Sequence, residues 1–215
     1  MIPILSTAYF PPVSYFILLA NHPQVILDPC ENYPKQSFRN RCEIYGPNGK
    51  QALSINIQKE SGIKTQIRDI QIDYTYEWVD NHLKSLEAAY SSSPFYEFYI
   101  DDIQDILMSQ PAGLFELNQM LMMKLMELIG LDTHMLVADE YQMPDNPSAD
   151  FRASFHPKPQ YILRPPLLHL PKYYQVFNAK YGYIQNLSIL DLLFNLGTEC
   201  EIYLKNNAEF LTSVG

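Results

Sequence analysis

Ile2-Pro3-Ile4-Leu5-Ser6-Thr7, Pro11-Pro12, Val13-Ser14-Tyr15-Phe16-Ile17-Leu18-Leu19-Ala20-Asn21 and Pro23-Gln24-Val25-Ile26-Leu27-Asp28 decide how this chain folds. The first run is short and apolar, which predicts a strand, and the two prolines end it in a fixed turn. Tyr15, Phe16, Leu18 and Leu19 then recur at helical spacing until Pro23 closes the helix. Gln24 to Asp28 is a second short apolar run. Strand, turn, helix and strand within about thirty residues is the size of a crossover unit with parallel strands. The segment that leaves the second strand then starts at the carboxyl end of a parallel sheet, where open α/β proteins place their ligands.

That segment is Cys30-Glu31-Asn32-Tyr33-Pro34-Lys35-Gln36-Ser37-Phe38-Arg39-Asn40-Arg41-Cys42. Between Asn32 and Ile72 seven basic residues (Lys35, Arg39, Arg41, Lys50, Lys59, Lys64, Arg68) face three acidic ones (Glu43, Glu60, Asp69). Between Glu97 and Asp150 Lys124 stands alone against eleven acidic residues. A molecule with a net charge of −9 and this asymmetry has one end suited to an anion. Lys50, Lys59 and Lys64 fit a solvated face equally well. Arg39 and Arg41, beside Asn40 and Lys35, suit a planar phosphate or carboxylate.

Composition bounds the rest. A chain of 215 residues that is 47% apolar can bury a sizeable core as one domain, and 1–215 is read as a single unit. The acidic balance argues against nucleic acid as a partner. No run approaches the eighteen or so apolar residues of a membrane span, and the start lacks a secretory pattern, so a cytoplasmic location is expected. Cys30, Cys42 and Cys200 are odd in number and lack metal or disulfide spacing, and no metal site is predicted.

Further along, Glu43-Ile44-Tyr45 and Leu53 to Ile57 flank the turn Gly46-Pro47-Asn48-Gly49 and predict a hairpin over 43–57. Thr65 to Ile72 reads as another strand. Helices are expected over 74–90, 94–108, 114–130 and 187–196, with Gly130 and Gly197 just past two of their ends. The third is dense enough in apolar residues for burial on most sides, its four methionines (Met120, Met122, Met123, Met126) included. Prolines punctuate 135–172, which reads as an irregular connection, either lid or linker. The predicted fold class is α/β: a mainly parallel, Rossmann-like sheet with an inserted β-hairpin and flanking helices.

There is no Gly-rich phosphate loop, H-E-x-x-H or G-x-S-x-G, so an anion must be held by side chains. His82 falls on the apolar face of its helix. A tuned general base and a core histidine bonded to a backbone carbonyl both look like that in sequence. Cys42 follows Arg41, a setting that favours thiolate, but strand alternation turns it towards the core when Arg39 and Arg41 face a site. Asp191, three residues after Ser188, matches a capping pattern.

Four segments carry a resemblance: Thr7-Ala8-Tyr9-Phe10-Pro11-Pro12; Glu31-Asn32-Tyr33-x-Lys35-Gln36-x-x-Arg39-Asn40-Arg41-Cys42; His82 with Glu87-Ala88-Ala89-Tyr90 to Pro94-Phe95; and Asn186-Leu187-Ser188-Ile189-Leu190-Asp191-Leu192-Leu193-Phe194-Asn195-Leu196-Gly197. Together they resemble the WbqC-like protein family of bacteria. The chain departs from it at Leu83, where members often carry Trp, and at Cys42, where others carry Asn. The resemblance implies a role in O-antigen or other surface-polysaccharide biosynthesis, with glycine transfer as one suggested activity. The expected function is a transferase (acyl, aminoacyl or glycosyl) acting on a sugar or amino-sugar precursor. Its partner would be an anionic small molecule, a nucleotide sugar or an acyl or aminoacyl donor, and no cofactor is identified. Lys35, Arg39 and Arg41 would hold the anion, Asn32 and Asn40 would orient hydroxyl or carbonyl groups, and His82 would be the general base. The alternative is a non-catalytic protein binding a phosphorylated saccharide or a polysaccharide-assembly partner. A nucleotide-dependent ligase is a third reading, by fold analogy.

Overall fold

The structure, a computed structural model, describes residues 1–58, 64–144, 146–158 and 170–209. Its centre is the predicted crossover unit. Strand β1 (Ile4–Leu5) leads through Pro11-Pro12 into helix α1 (Val13–Ala20) and back to strand β2 (Gln24–Leu27), parallel to β1 with Ile4 opposite Ile26. Every residue of α1 from Val13 to Leu19 is buried. A helix apolar all round needs partners on every side, and its amino terminus needs distant ones too. The Val13 amide donates to the Leu187 carbonyl at 2.9 Å, and the Ser14 amide donates to Asn186 Oδ1 at 2.9 Å.

Strand β3 (Arg41–Gly46) and strand β4 (Gly49–Ser54) form the predicted hairpin, two residues earlier than expected at its start and three at its end. Pro47 and Asn48 make its tip. The hairpin stands as its own two-stranded sheet. A second small antiparallel pair joins β5 (Ile57–Gln58) to β6 (Gln71–Ile72). Of the predicted 65–72 strand only that last pair lies in a strand, because Ile67–Asp69 closes a 3-10 turn.

Three helices follow, each of the first two starting later than expected: α2 (Trp78–Tyr90), α3 (Tyr96–Met108) and α4 (Leu114–Ile129). Gly130 ends α4 in the left-handed conformation, φ 84°, as a C-cap glycine should. On α4 the apolar density misled the burial reading. Met122 and Met126 are buried, but Met120 and Met123 lie on the outer face.

The chain then adds strand β7 (His134–Val137) on the free side of β2, also parallel, giving the order β1-β2-β7. This corrects the reading of 135–172 as irregular from its start. The strand exists by virtue of its pairing, with the His134 amide on the Pro23 carbonyl at 2.9 Å and the Ala138 amide on the Leu27 carbonyl at 2.9 Å. Its own side chains are largely exposed and carry no alternation. Pro159, Pro165, Pro166 and His169, like Lys59 and Glu60 earlier, lie outside the described residues.

A short helix α5 (Asn178–Tyr181), helix α6 (Ile189–Leu196) and helix α7 (Cys200–Asn206) complete the chain. Ser188 caps α6 as expected, its Oγ accepting the Leu190 amide. Asp191 does not close the capping box. The Ser188 amide bonds the Glu43 carbonyl instead, and Asp191 turns inward to accept from the Tyr173 hydroxyl at 2.6 Å and Gln175 Nε2 at 2.8 Å. The core lies between the parallel sheet, α1, α6 and the hairpin, with Tyr9, Phe10, Tyr15, Phe16, Tyr45, Tyr90 and Phe194 its largest fully buried side chains. Among the described residues no helix is long and apolar enough to cross a membrane.

Gly197 shows how tightly α6 seats. Its φ is 56°, and a Cβ placed there would lie 2.5 Å from the Phe95 ring. Gly197→Ala is expected to cost about 1–3 kcal/mol in urea unfolding, from overpacking and left-handed strain together. A midpoint unchanged from the parent would refute that packing.

Candidate functional site

All three parallel strands end at one place. β1 runs into Ser6, β2 into Asp28, and β7 into the turn that carries Tyr141. A cleft of about 610 Å³ opens there, with Glu31, Asn32, Arg39, Asp150, Arg152 and His156 on its walls. This is where an open parallel sheet leaves room for a ligand, because the crossovers at the strand ends diverge.

Two buried arginines organise the cleft. Arg39 holds Glu31 through Nε and Nη2, with three contacts of 3.0–3.1 Å, and Nη2 also reaches Ser6 Oγ and the Arg152 carbonyl, the latter at 2.9 Å. Arg152 bonds Asp28 through Nη1 at 2.5 Å and Asp150 through Nη2 at 2.6 Å and Nε at 2.9 Å. Tyr141 lays its ring 4.4 Å from the Arg152 guanidinium. Asp28, fully buried, also accepts the Cys30 and Gln142 amides, at 2.8 and 3.1 Å. Three carboxylates thus meet two guanidiniums, a formal balance of −1 for the five charged side chains. On Arg39, Nη1 is left without a hydrogen bond among the described residues.

The environment sets the protonation of these groups. Burial pushes the Glu31 carboxyl above its ordinary value, against the pull of Arg39 and Ser6. Burial opposes the Arg152 charge, but Asp150, Tyr141 and Asp28 outweigh it and raise the pKa. His156 is lowered by burial and by Arg39, Lys158 and Arg41, so at neutral pH it is uncharged. Its Nδ1 accepts the Lys158 amide at 3.0 Å, which puts the proton of the neutral ring on Nε2.

The expected site residues separate in this geometry. Asn32 and Arg39 line the cleft. Lys35 is exposed outside it. Asn40 is buried, accepting from the Tyr33 hydroxyl at 2.8 Å and donating to the Ile55 carbonyl at 2.9 Å. Arg41 opens β3, its Nε buried and without a partner among the described residues, close enough to His156 to bias that ring. The three basic side chains therefore do not converge on one pocket. Cys42 is fully buried and its thiol raised by burial, as strand alternation foretold.

His82 sits in the core. Its Nδ1 is 2.9 Å from the Tyr9 hydroxyl, Trp78 meets it edge-on, and burial lowers its pKa to about 4. It lies on none of the walls of the cleft. The residues that sequence reasoning passed over are Asp28, Glu31, Asp150, Arg152 and His156. The last three share one signal, Asp150-Phe151-Arg152-Ala153-Ser154-Phe155-His156, charged and histidine-bearing within a connection read as either lid or linker.

The sequence profile of the WbqC-like protein family matches residues 7–155, from the loop after β1 to Phe155, one residue short of His156. The chain belongs to the WbqC-like protein family. An uncharacterized protein of Mycobacterium tuberculosis, Rv1507c, is 26% identical over 223 residues, an alignment spanning 94% of this chain and 96% of that one. No solved structure matches. Within the matched span of this WbqC-like chain Tyr9 meets His82, and from beyond that span Asn186 caps the helix that follows Pro12.

Two measurements check this account. Asp28→Ala takes from buried Arg152 one of its two carboxylate partners, and should lower unfolding free energy by about 1.5–3 kcal/mol; a loss below about 1 kcal/mol would remove the pair from its structural role. For His82, a folded pKa of about 4 lies below the ordinary 6.5, so its contribution is present above pH 6.5 and is lost as pH falls towards 4. His82→Phe, less stable at pH 7 for want of the Tyr9 bond, should close the gap to the parent by roughly 2–3 kcal/mol between pH 6.5 and 4. Parallel stability curves would contradict a buried neutral imidazole.

Proposed function

We propose that the cleft at the ends of β1, β2 and β7 binds a sugar or amino-sugar precursor of bacterial surface polysaccharide. On this reading the chain is a cytoplasmic transferase that modifies the precursor with an acyl, aminoacyl or glycosyl group. The observation that carries it is the pairing, in one cleft, of the Arg39 donor edge with the Glu31 and Asp150 carboxylates. Hydroxyl and amine groups of a sugar match carboxylates, and a phosphate or carbonyl oxygen matches a guanidinium. Glu31, its carboxyl raised by burial, takes the role of proton acceptor that the sequence suggested for His82.

The Rossmann-like reading of the sheet supports the same location, since ligands of such sheets lie beyond the carboxyl ends of their strands. Family membership supports the polysaccharide context, and the positive patch expected of Lys35, Arg39 and Arg41 is replaced by a mixed-charge site. A second reading is binding without turnover. The absence of an activated thiol favours it, because Cys30, Cys42 and Cys200 are all buried with raised pKa values.

Ala153 lines the cleft and is exposed. Ala153→Trp should fill the cleft and weaken binding of UDP-N-acetylglucosamine at least tenfold by calorimetry, with the melting temperature unchanged. Equal binding by parent and variant, or none by the parent to this nucleotide sugar or to acetyl-coenzyme A, would end the proposal. Binding without any product by mass spectrometry would select the second reading.

A further inference from the structure

A second, smaller cleft of about 300 Å³ lies against the first. Among the described residues the two share Ser154 and His156 alone. Their neighbours divide between them: Arg152 and Ala153 line only the larger cleft, Phe155 and Pro157 only the smaller. The segment is thus a wall one residue thick, with a ligand-sized space on each side.

We propose that the smaller cleft is a second ligand subsite that takes a single glycosyl ring, so that the molecule holds two ligands on opposite sides of Ser154 and His156. The inference rests on reading the larger cleft as a ligand site, and the test below separates the two. Its volume is at the low end of the ~300–1,000 Å³ typical of small-molecule pockets. Phe38 and Phe155, both mostly buried, give it an apolar floor. Its rim is polar, with the Glu43–Lys50 pair at 3.0 Å and the Gln185 and Asn186 side chains among its lining. An apolar face with polar edges is the chemistry of a pyranose ring.

Asn186 is built into place rather than left as surface. Its φ is 57°, a left-handed conformation that Asn tolerates better than most residues, and its Oδ1 is fixed by the Ser14 amide at the start of α1. The amide NH2 group makes no hydrogen bond among the described residues. The wall is equally fixed. Lys158 contacts Gln36 through Nζ and His156 through its amide, and both Ser6 Oγ and Arg39 hold the Arg152 carbonyl. Such anchoring by side-chain and backbone bonds is what keeps two subsites at a constant separation.

The test follows backbone amide shifts of the full chain by NMR, with N-acetylglucosamine as the monosaccharide probe and UDP-N-acetylglucosamine for the larger cleft. With the nucleotide sugar saturating, the monosaccharide should still shift Phe155, Gln185 and Asn186. Gln185 is exposed, so Gln185→Trp should block the smaller cleft without unfolding the chain, weakening the monosaccharide at least tenfold and leaving the nucleotide sugar unchanged. Ala153→Trp should do the reverse. Monosaccharide shifts at Gln185 and Asn186 that vanish in Gln185→Trp, without any nucleotide-sugar binding, would uphold this subsite and count against the reading of the larger cleft. Nucleotide-sugar binding without monosaccharide shifts there, or direct competition between the two probes, would overturn the second subsite.

Discussion

The contact between Arg152 and Asp28 holds the site together. Asp28 follows β2 with no exposed surface, so its charge is tolerable only if neighbours satisfy it, and two backbone amides plus one guanidinium do so. Through that ion pair the Asp150–His156 segment is brought across the ends of the parallel strands. Arg39 then uses the Arg152 carbonyl as an acceptor and Glu31 as its counter-ion, so the loop after β2 and the wall are fastened to each other. Asn118 of α4 donates to the Arg39 carbonyl at 2.8 Å, which ties the helical layer to the same point.

Stretches far apart in the sequence have a matching logic. Several of their side chains face one another inside the molecule: Tyr9 with His82, Asn186 with the amino end of α1, and Pro12 beside Ser188 in an antiparallel bridge. Asp191, raised to about 6 by burial, is held by Tyr173 and Gln175 from the stretch before α6. These bonds fix the positions of α1, α2 and α6 around the hairpin. The polar groups of the two clefts come instead from loops at strand ends and from the wall, an arrangement in which a rigid scaffold presents variable chemistry.

Much of the fold was legible because it is local. The β1-α1-β2 unit, the hairpin around Pro47-Asn48 and the helices α2, α3, α4 and α6 each carry their own periodicity and turn residues. β7 carries neither. It is extended because β2 offers a free edge 110 residues earlier in the chain, and no window of sequence contains that fact. The site divides in the same way. That Asn32 and Arg39 would lie beside a cleft at the strand ends followed from the order of elements, and the core position of Cys42 from alternation. The neutralisation of Arg39 by Glu31, the withdrawal of His82 to Tyr9 and the arrival of Arg152 are long-range pairings, which charge counting along the chain cannot reveal.

The distance in sequence between Asp28 and Arg152 also sets an order of events during synthesis. A ribosome delivers β1, α1 and β2 first, and more than a hundred residues must follow before β7 can pair with β2 and Arg152 can reach Asp28. Until then the nascent chain presents an unpaired strand edge beside a carboxylate that stays in water. Loop-closure entropy weighs against so remote a partner, so the sheet closes late and the cleft is among the last parts of the molecule to take shape.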